Sequence, residues 1–180
     1  MPNYIRYIFK NVLFLFVYLT IFRLIFYFFA LDTFDFDSSE IKNAIFLGTR
    51  FDLKLATLVV FPIAILILIL NNRFFTKPFF KKIALYYWVI SYLVITIFYL
   101  FDFGFYNYLN TRIDATALRF TTNLKISLQV MVESYPVFSG LFLLLILGFL
   151  VYKFSNWQYK ISSKNNIIIS IKTKSFYFAG

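Results

Sequence analysis

The chain has 180 residues, of which 61% are hydrophobic and only 14% are charged. A soluble domain usually carries about a quarter charged residues, so this chain lacks the polar surface needed to fold in water alone. Cysteine and histidine are absent, which excludes disulfides, thiolate or histidine metal sites, and catalytic Ser–His or Cys–His couples. The net charge of +10 would favour a nucleic-acid partner in a soluble protein, but here the distribution of lysines indicates membrane topology and no nucleic acid.

Four long apolar runs predict membrane-spanning helices, because about 20 apolar residues cross a hydrocarbon layer of about 30 Å. The predicted spans are about 9–31, 51–71, 83–101 and 137–152. The fourth is short and needs flanking aromatic residues and Lys153 at the interface. A cleaved signal peptide is the alternative for the first run, but that run is too long and lacks a small-residue cleavage pattern.

The basic residues predict the orientation of these spans. With the N-terminus in the cytoplasm, the segments 1–10, 72–82 and 153–174 lie inside and contain no acidic residue. They hold eleven basic residues: Arg6, Lys10, Arg73, Lys77, Lys81, Lys82, Lys153, Lys160, Lys164, Lys172 and Lys174. All eight carboxylates fall in the outer loops or at the outer ends of spans. The positive-inside rule therefore predicts a multi-pass membrane protein with a cytoplasmic N-terminus.

Two further segments extend the predicted fold. Apolar residues recur at helical spacing from Ile113 to Met131, which predicts an amphipathic helix over about 112–133 in the outer interface. Such a helix would contact lipid head groups or a partner domain. The alternative is that this segment is simply a loop at the interface. The end of the chain turns apolar again after Lys174, which favours the start of a truncated fifth span over a short surface-bound tail.

The predicted fold class is therefore all-α: a single polytopic membrane helical bundle over residues 1–180. It has four complete spans, the interfacial helix and the start of a fifth span. No internal repeat, low-complexity linker or glycine-rich phosphate loop interrupts it.

Ionisable residues at the outer ends of the spans form the candidate site, because charge at membrane depth usually has a partner or a role. The candidates for a polar outer cluster that contacts a lipid phosphate are Arg23, Arg50, Asp52, Asp102, Arg112 and Asp114. Within it, we expect Arg23 to pair with Asp52 or Asp102 across the bundle. The alternative is that Arg23 and Lys54 extend their charged ends to the interface without a specific partner. The sequence predicts no catalytic constellation, metal site or cofactor site.

Several short elements of the sequence occur together in one known family. They are Gly48-Thr49-Arg50-Phe51-Asp52-Leu53 at the start of span two, Asp102-Phe103-Gly104-Phe105-Tyr106-Asn107-Tyr108 after span three, Thr111-Arg112-Ile113-Asp114, Ala117-Leu118-Arg119-Phe120, and Ser134-Tyr135-Pro136 before span four. In order and position these elements resemble the membrane region of the lipoteichoic acid synthase family. The resemblance covers most of the chain, from about span one to its end.

The resemblance implies five N-terminal spans followed by an extracytoplasmic domain of the sulfatase/alkaline-phosphatase type. That domain would bind a divalent metal and transfer phosphoglycerol, or a related head-group phosphate ester, through a threonine nucleophile. No metal ligand or nucleophile carries over to this chain, since it ends where the fifth span should begin. We therefore expect a membrane anchor portion that is inactive alone, and whose partners are membrane lipids and the missing catalytic domain.

Two other functions fit the same hydropathy. A small transporter or channel subunit predicts polar groups along a path through both leaflets, and the inner halves of these spans offer almost none. A non-enzymatic scaffold predicts a stable membrane-protein partner that is lost when the stripe of Ile113 and Phe120 is mutated.

Overall fold

The computed structural model describes residues 3–30, 38–70, 72–109 and 137–178. Every described residue except Lys77 is helical, so the all-α class predicted from the sequence is confirmed. The helices are α1 (Asn3–Ala30), α2 (Ser38–Leu70), α3 (Asn72–Thr76), α4 (Pro78–Leu109) and α5 (Val137–Phe178). The predicted interfacial helix over about 112–133 lies outside the described residues.

Four of these helices are long and apolar enough to cross a membrane, as predicted. The candidate spans are Tyr4–Phe29, Lys42–Leu70, Pro78–Asn107 and Val137–Ser163. Each is longer than its predicted counterpart, because an apolar run marks only the hydrocarbon layer whereas a helix continues for as long as its backbone hydrogen bonds do. In particular, α2 begins at Ser38, well before the start of the second span predicted at about residue 51.

The fourth span differs most from its prediction. Helix α5 has 42 residues and does not stop near Tyr152, so its candidate span has 27 residues, Val137–Ser163, where about sixteen were predicted. No glycine or proline occurs between Gly148 and Gly180 to end the helix. The residues up to Phe178 continue α5, and the fifth span expected there stays a prediction.

The chain divides into two compact units. The first comprises Met1–Trp88 and Tyr152–Gly180, and the second comprises Val89–Val151. In the first unit, α1 and α2 pack as an antiparallel pair, since Tyr7 contacts the ring of Phe75 beyond the end of α2 while Arg23 contacts Asp52 near its start. In the second unit, Gly148 lies beside the side chain of Leu93.

A regular stripe of buried residues forms the seam between α1 and α2. On α1 it recurs every four residues at Tyr7, Asn11, Leu15 and Leu19. On α2 it comprises Gly48, Asp52, Ala56, Val60, Ile63 and Ile67. Residues three or four apart share one face of a helix, so each stripe lies along one side while the opposite sides remain exposed. Large exposed residues such as Phe9, Leu58 and Ile69 cover those outer faces, as expected for helices surrounded by lipid.

Pro62 lies inside α2 and disturbs its backbone hydrogen bonding. A proline has no N–H to donate to the carbonyl four residues earlier, and its kink also strains the neighbouring bond. The hydroxyl of Tyr87 on α4 donates a hydrogen bond to the carbonyl of Val59, three residues before the proline. A side chain from a neighbouring helix therefore satisfies a backbone group close to the break, which is how transmembrane helices tolerate proline.

Candidate functional site

Arg23 and Asp52 form a two-pronged ion pair at one end of the α1–α2 seam. Arg23 Nε donates to Asp52 Oδ2 at 2.8 Å, and Nη2 donates to Oδ1 at 2.7 Å. The carboxylate is almost fully buried, with 3% of its side chain exposed, whereas 28% of the Arg23 side chain remains exposed. This side-by-side geometry is the strongest form of arginine–carboxylate contact, because both hydrogen bonds are charge-assisted.

The position of each partner follows from the helical spacing of the seam. Arg23 lies four residues after Leu19 and so continues the buried stripe of α1. Asp52 lies four residues before Ala56 and continues the stripe of α2. The pair therefore replaces the apolar contacts of the seam at this end. Burying either charge without the other would be costly, so each residue depends on its partner.

Gly48 makes room for the guanidinium. It is buried one turn before Asp52, and a Cβ atom added to it would lie 2.6 Å from Cζ of Arg23. Contacts that close do not occur between carbon atoms, so any larger side chain would have to displace an arginine that is already held by two hydrogen bonds. Gly48 and Asp52 together form a socket for Arg23, which we call the arginine socket.

Arg50 and Lys54, the charged residues on either side of Asp52 in the sequence, do not enter this socket. Arg50 is exposed, and its guanidinium lies 5.9 Å from the ring centroid of Phe46. Lys54 is also exposed and lies 5.4 Å from the ring centroid of Phe51. Both cations rest on aromatic rings of their own helix, an arrangement that stabilises an exposed charge modestly.

The remaining candidates of the polar cluster fall into two groups. Asp102 is a buried residue of the second unit, with 3% of its surface exposed. Arg112 and Asp114 lie outside the described residues, so their part in an outer cluster stays a prediction. Of the two partners expected for Arg23, the structure shows the contact with Asp52. Within the described ranges, no three carboxylates come together to hold a metal ion.

A second buried polar group lies near the other end of α1 and was not anticipated from the sequence. The indole N–H of Trp88 donates to the hydroxyl of Tyr7 at 3.0 Å, and both residues are fully enclosed. The rings of Phe74, Phe75 and Tyr159 pack against Tyr7 at centroid distances of 5.6–6.5 Å. We call these five residues the aromatic cluster. In a chain that is 24% aromatic, no local signal distinguishes them from other aromatic residues.

The aromatic cluster joins four helices of the first unit. Tyr7 comes from α1, the two phenylalanines come from the short helix α3, and Trp88 and Tyr159 come from α4 and α5. The hydroxyl of Tyr159 donates to the carbonyl of Phe74, which provides a partner for a backbone group near the end of α3.

The comparisons with models of known families, with curated proteins and with solved structures give no match to this chain.

Proposed function

We propose that these 180 residues are the membrane portion of a phosphoglycerol transferase similar to lipoteichoic acid synthases. In such an enzyme the chemistry belongs to an extracytoplasmic domain of the sulfatase type, and the membrane portion anchors that domain beside its lipid substrate. On this proposal the protein lies in the bacterial inner membrane with its N-terminus in the cytoplasm, and this segment has no transferase activity by itself.

The arginine socket is the observation that supports the proposal most. The resemblance to the synthase family centres on the element Gly48-x-Arg50-Phe51-Asp52, and two of its defined positions, Gly48 and Asp52, hold Arg23 of α1. The element therefore has a physical requirement for its glycine and its aspartate at a spacing of one helical turn. Because packing requires this glycine and this aspartate, their presence in the element is not explained by the apolar composition of the chain alone.

Arg50 supplies a candidate contact for the lipid. It belongs to the same element but lies on a different face of α2, where it is exposed. A guanidinium can donate two parallel hydrogen bonds to a phosphate, which suits it to a phosphoglycerol head group at the outer interface. The socket would fix the rotation of α2 about its own axis relative to α1, and Arg50 would then face the lipid.

A chimeric enzyme tests this proposal. The chain would be joined through a fifth span to the catalytic domain of a lipoteichoic acid synthase, and phosphoglycerol transfer from labelled phosphatidylglycerol would be measured in membranes. A matched chimera would carry an unrelated four-span anchor. We expect transfer from the first chimera to exceed that of the second at least tenfold, and Arg50→Gln to raise the KM for the lipid.

Equal transfer by the two chimeras would contradict the proposal, because any anchor would then serve. Reporter fusions after Lys82 and after Asp35 test the orientation separately. The proposal requires these two positions to report opposite compartments, with Lys82 in the cytoplasm.

A further inference from the structure

Three lysines surround an open cleft of about 380 Å³ in the first unit. The cleft is bounded by the end of α3, the beginning of α4 and one face of α5. The residues that line it are Phe75, Thr76, Lys77, Pro78, Lys81, Tyr159, Lys160 and Ser163. Its volume lies within the range of about 300–1,000 Å³ that is typical of small-molecule sites. We call it the lysine cleft.

The described residues that line the cleft are positively charged and include no carboxylate. Lys77, Lys81 and Lys160 contribute three positive charges, and none of the lining residues is acidic. In the sequence, no acidic residue occurs between Asp52 and Asp102 or after Glu133. Within the part of the chain that the structure describes, Asp52 is paired with Arg23, which lies roughly 24 Å of helix rise from Tyr7 on α1.

The backbone carbonyls at the end of α3 are already occupied by hydroxyl and amide donors. Ser163 Oγ donates to the carbonyl of Phe75 at 3.1 Å, and Tyr159 donates to that of Phe74. The carbonyl of Arg73 accepts from the Thr76 hydroxyl at 3.2 Å and from the Lys77 amide at 3.4 Å. These three carbonyls therefore compete less for the lysine ammonium groups, which can then bind an external anion.

The first turn of α4 adds further attraction for an anion. Pro78 begins this helix and lines the cleft, and the amide N–H groups of the two following residues have no acceptor within the helix. The positive end of the helix dipole lies at the same place. Lysine side chains, free amides and a helix N-terminus together are the usual components of a phosphate site.

We propose that the lysine cleft binds the phosphate group of an anionic ligand, which is either a membrane phospholipid head group or a free phosphate compound. The cleft lies beside the aromatic cluster, at the lysine-rich end of helices that are apolar enough to span a membrane. Basic pockets between such helices are suited to anionic head groups at the membrane surface. This inference is independent of the proposed transferase role, which concerns the outer ends of the spans.

Lysine footprinting of the full chain tests the site and identifies the source of the phosphate. The chain would be placed in phosphatidylcholine nanodiscs, with or without 20 mol% phosphatidylglycerol as a chosen condition, roughly matching an anionic membrane surface. A third sample would contain sodium phosphate in place of sodium chloride at equal ionic strength. Acylation of each lysine would then be quantified by mass spectrometry.

We expect acylation of Lys81 and Lys160 to fall at least threefold with the ligand, while Lys82 is unchanged. Lys82 is the matched control, because it is the next residue on α4, is exposed and does not line the cleft. Protection in phosphatidylglycerol discs alone would identify a lipid head group, and protection by sodium phosphate would identify a free phosphate. No protection in either sample, or equal protection of Lys82, would overturn the proposal.

Charge removal provides the second measurement. Lys81→Gln with Lys160→Gln should weaken ligand binding about twenty-fivefold, as measured by protection of the remaining cleft lysine, Lys77, since each lysine near an anionic group contributes roughly fivefold. Lys82→Gln should leave that binding unchanged. If the double variant does not fold, Lys81→Gln alone should weaken binding about fivefold, and an unchanged affinity in the single variant would contradict the proposal.

Discussion

The two ends of the α1–α2 seam accommodate buried polar groups among apolar helices in different ways. At one end, Arg23 and Asp52 bring opposite charges together inside apolar helices. At the other end, Tyr7 and Trp88 share a neutral hydrogen bond within the aromatic cluster. The comparison teaches that a polar group is tolerated here when its partner is fixed by packing. It also predicts that the penalty for removing a partner depends on whether charge is left behind.

The largest effect should come from removing the carboxylate of the arginine socket. Asp52→Leu removes the carboxylate that accepts two charge-assisted hydrogen bonds from the part-buried Arg23 guanidinium, and should lower the free energy of unfolding by about 3 kcal/mol. SDS titration of the chain in mixed micelles, followed by circular dichroism, measures this change. Arg50→Leu is the control, because an exposed residue should change stability by less than about 0.5 kcal/mol.

The double variant sharpens the interpretation of this result. Arg23→Leu combined with Asp52→Leu should recover most of the lost stability, because neither charge of the pair remains and apolar contacts replace it. If the double variant were as unstable as the sum of the two single variants, the cost would not arise from an unpaired charge.

At the aromatic end, the corresponding change removes a neutral acceptor. Tyr7→Phe leaves the indole N–H of Trp88 buried without a partner, and should destabilise the chain by about 1–3 kcal/mol. Trp88 fluorescence, recorded in a Trp157→Phe background, should report the altered environment of the indole. Tyr152→Phe changes the same group at an exposed position and should have little effect. Equal losses for the two tyrosines would show that the hydrogen bond is not responsible.

A steric change at the socket should have a smaller effect whose sign depends on Arg23. Gly48→Ala should destabilise the chain by about 1 kcal/mol, because about 2 kcal/mol of overpacking exceeds the roughly 1 kcal/mol by which alanine favours a helix. In an Arg23→Ala background the same substitution should be stabilising, since the obstruction is gone. SDS titration of the four chains measures both steps, and a constant sign would refute the socket geometry.

The smallest effect should arise between the two ends of the seam. Tyr87→Phe removes the hydroxyl that serves the Val59 carbonyl near Pro62, at a cost of about 1 kcal/mol. The loss should shrink in a Pro62→Ala background, because without the proline kink the amide of Ile63 can donate to the Val59 carbonyl unstrained. Tyr86→Phe, at an exposed neighbouring position, is the control for both measurements. An equal loss of stability with and without Pro62 would show that the Tyr87 hydroxyl does not compensate for the proline.

Hydropathy alone predicted the four spans, and the high cost of charge in a membrane led to the expected partner of Arg23. The seam itself could not be predicted, because α1 and α2 are apolar on all sides and their sequences show no period. Arg50 and Asp52 are two residues apart, about 200° around a helix, so their separation onto different faces follows from the sequence once the helix is known. The lysine cleft joins Lys81 to Lys160, which are distant in the chain, and no local pattern connects such residues.

The dependence of Arg23 on Asp52 bears on how the protein enters its membrane. An arginine in a lone apolar helix raises the free energy of insertion, by up to about 2.5–3.5 kcal/mol at the helix centre, and the carboxylate that neutralises Arg23 is synthesised 29 residues later. We therefore expect α1 and α2 to leave the translocation machinery together as a hairpin. Glycosylation-tag mapping of truncated nascent chains would reveal this as incomplete integration of α1 until Asp52 has been added.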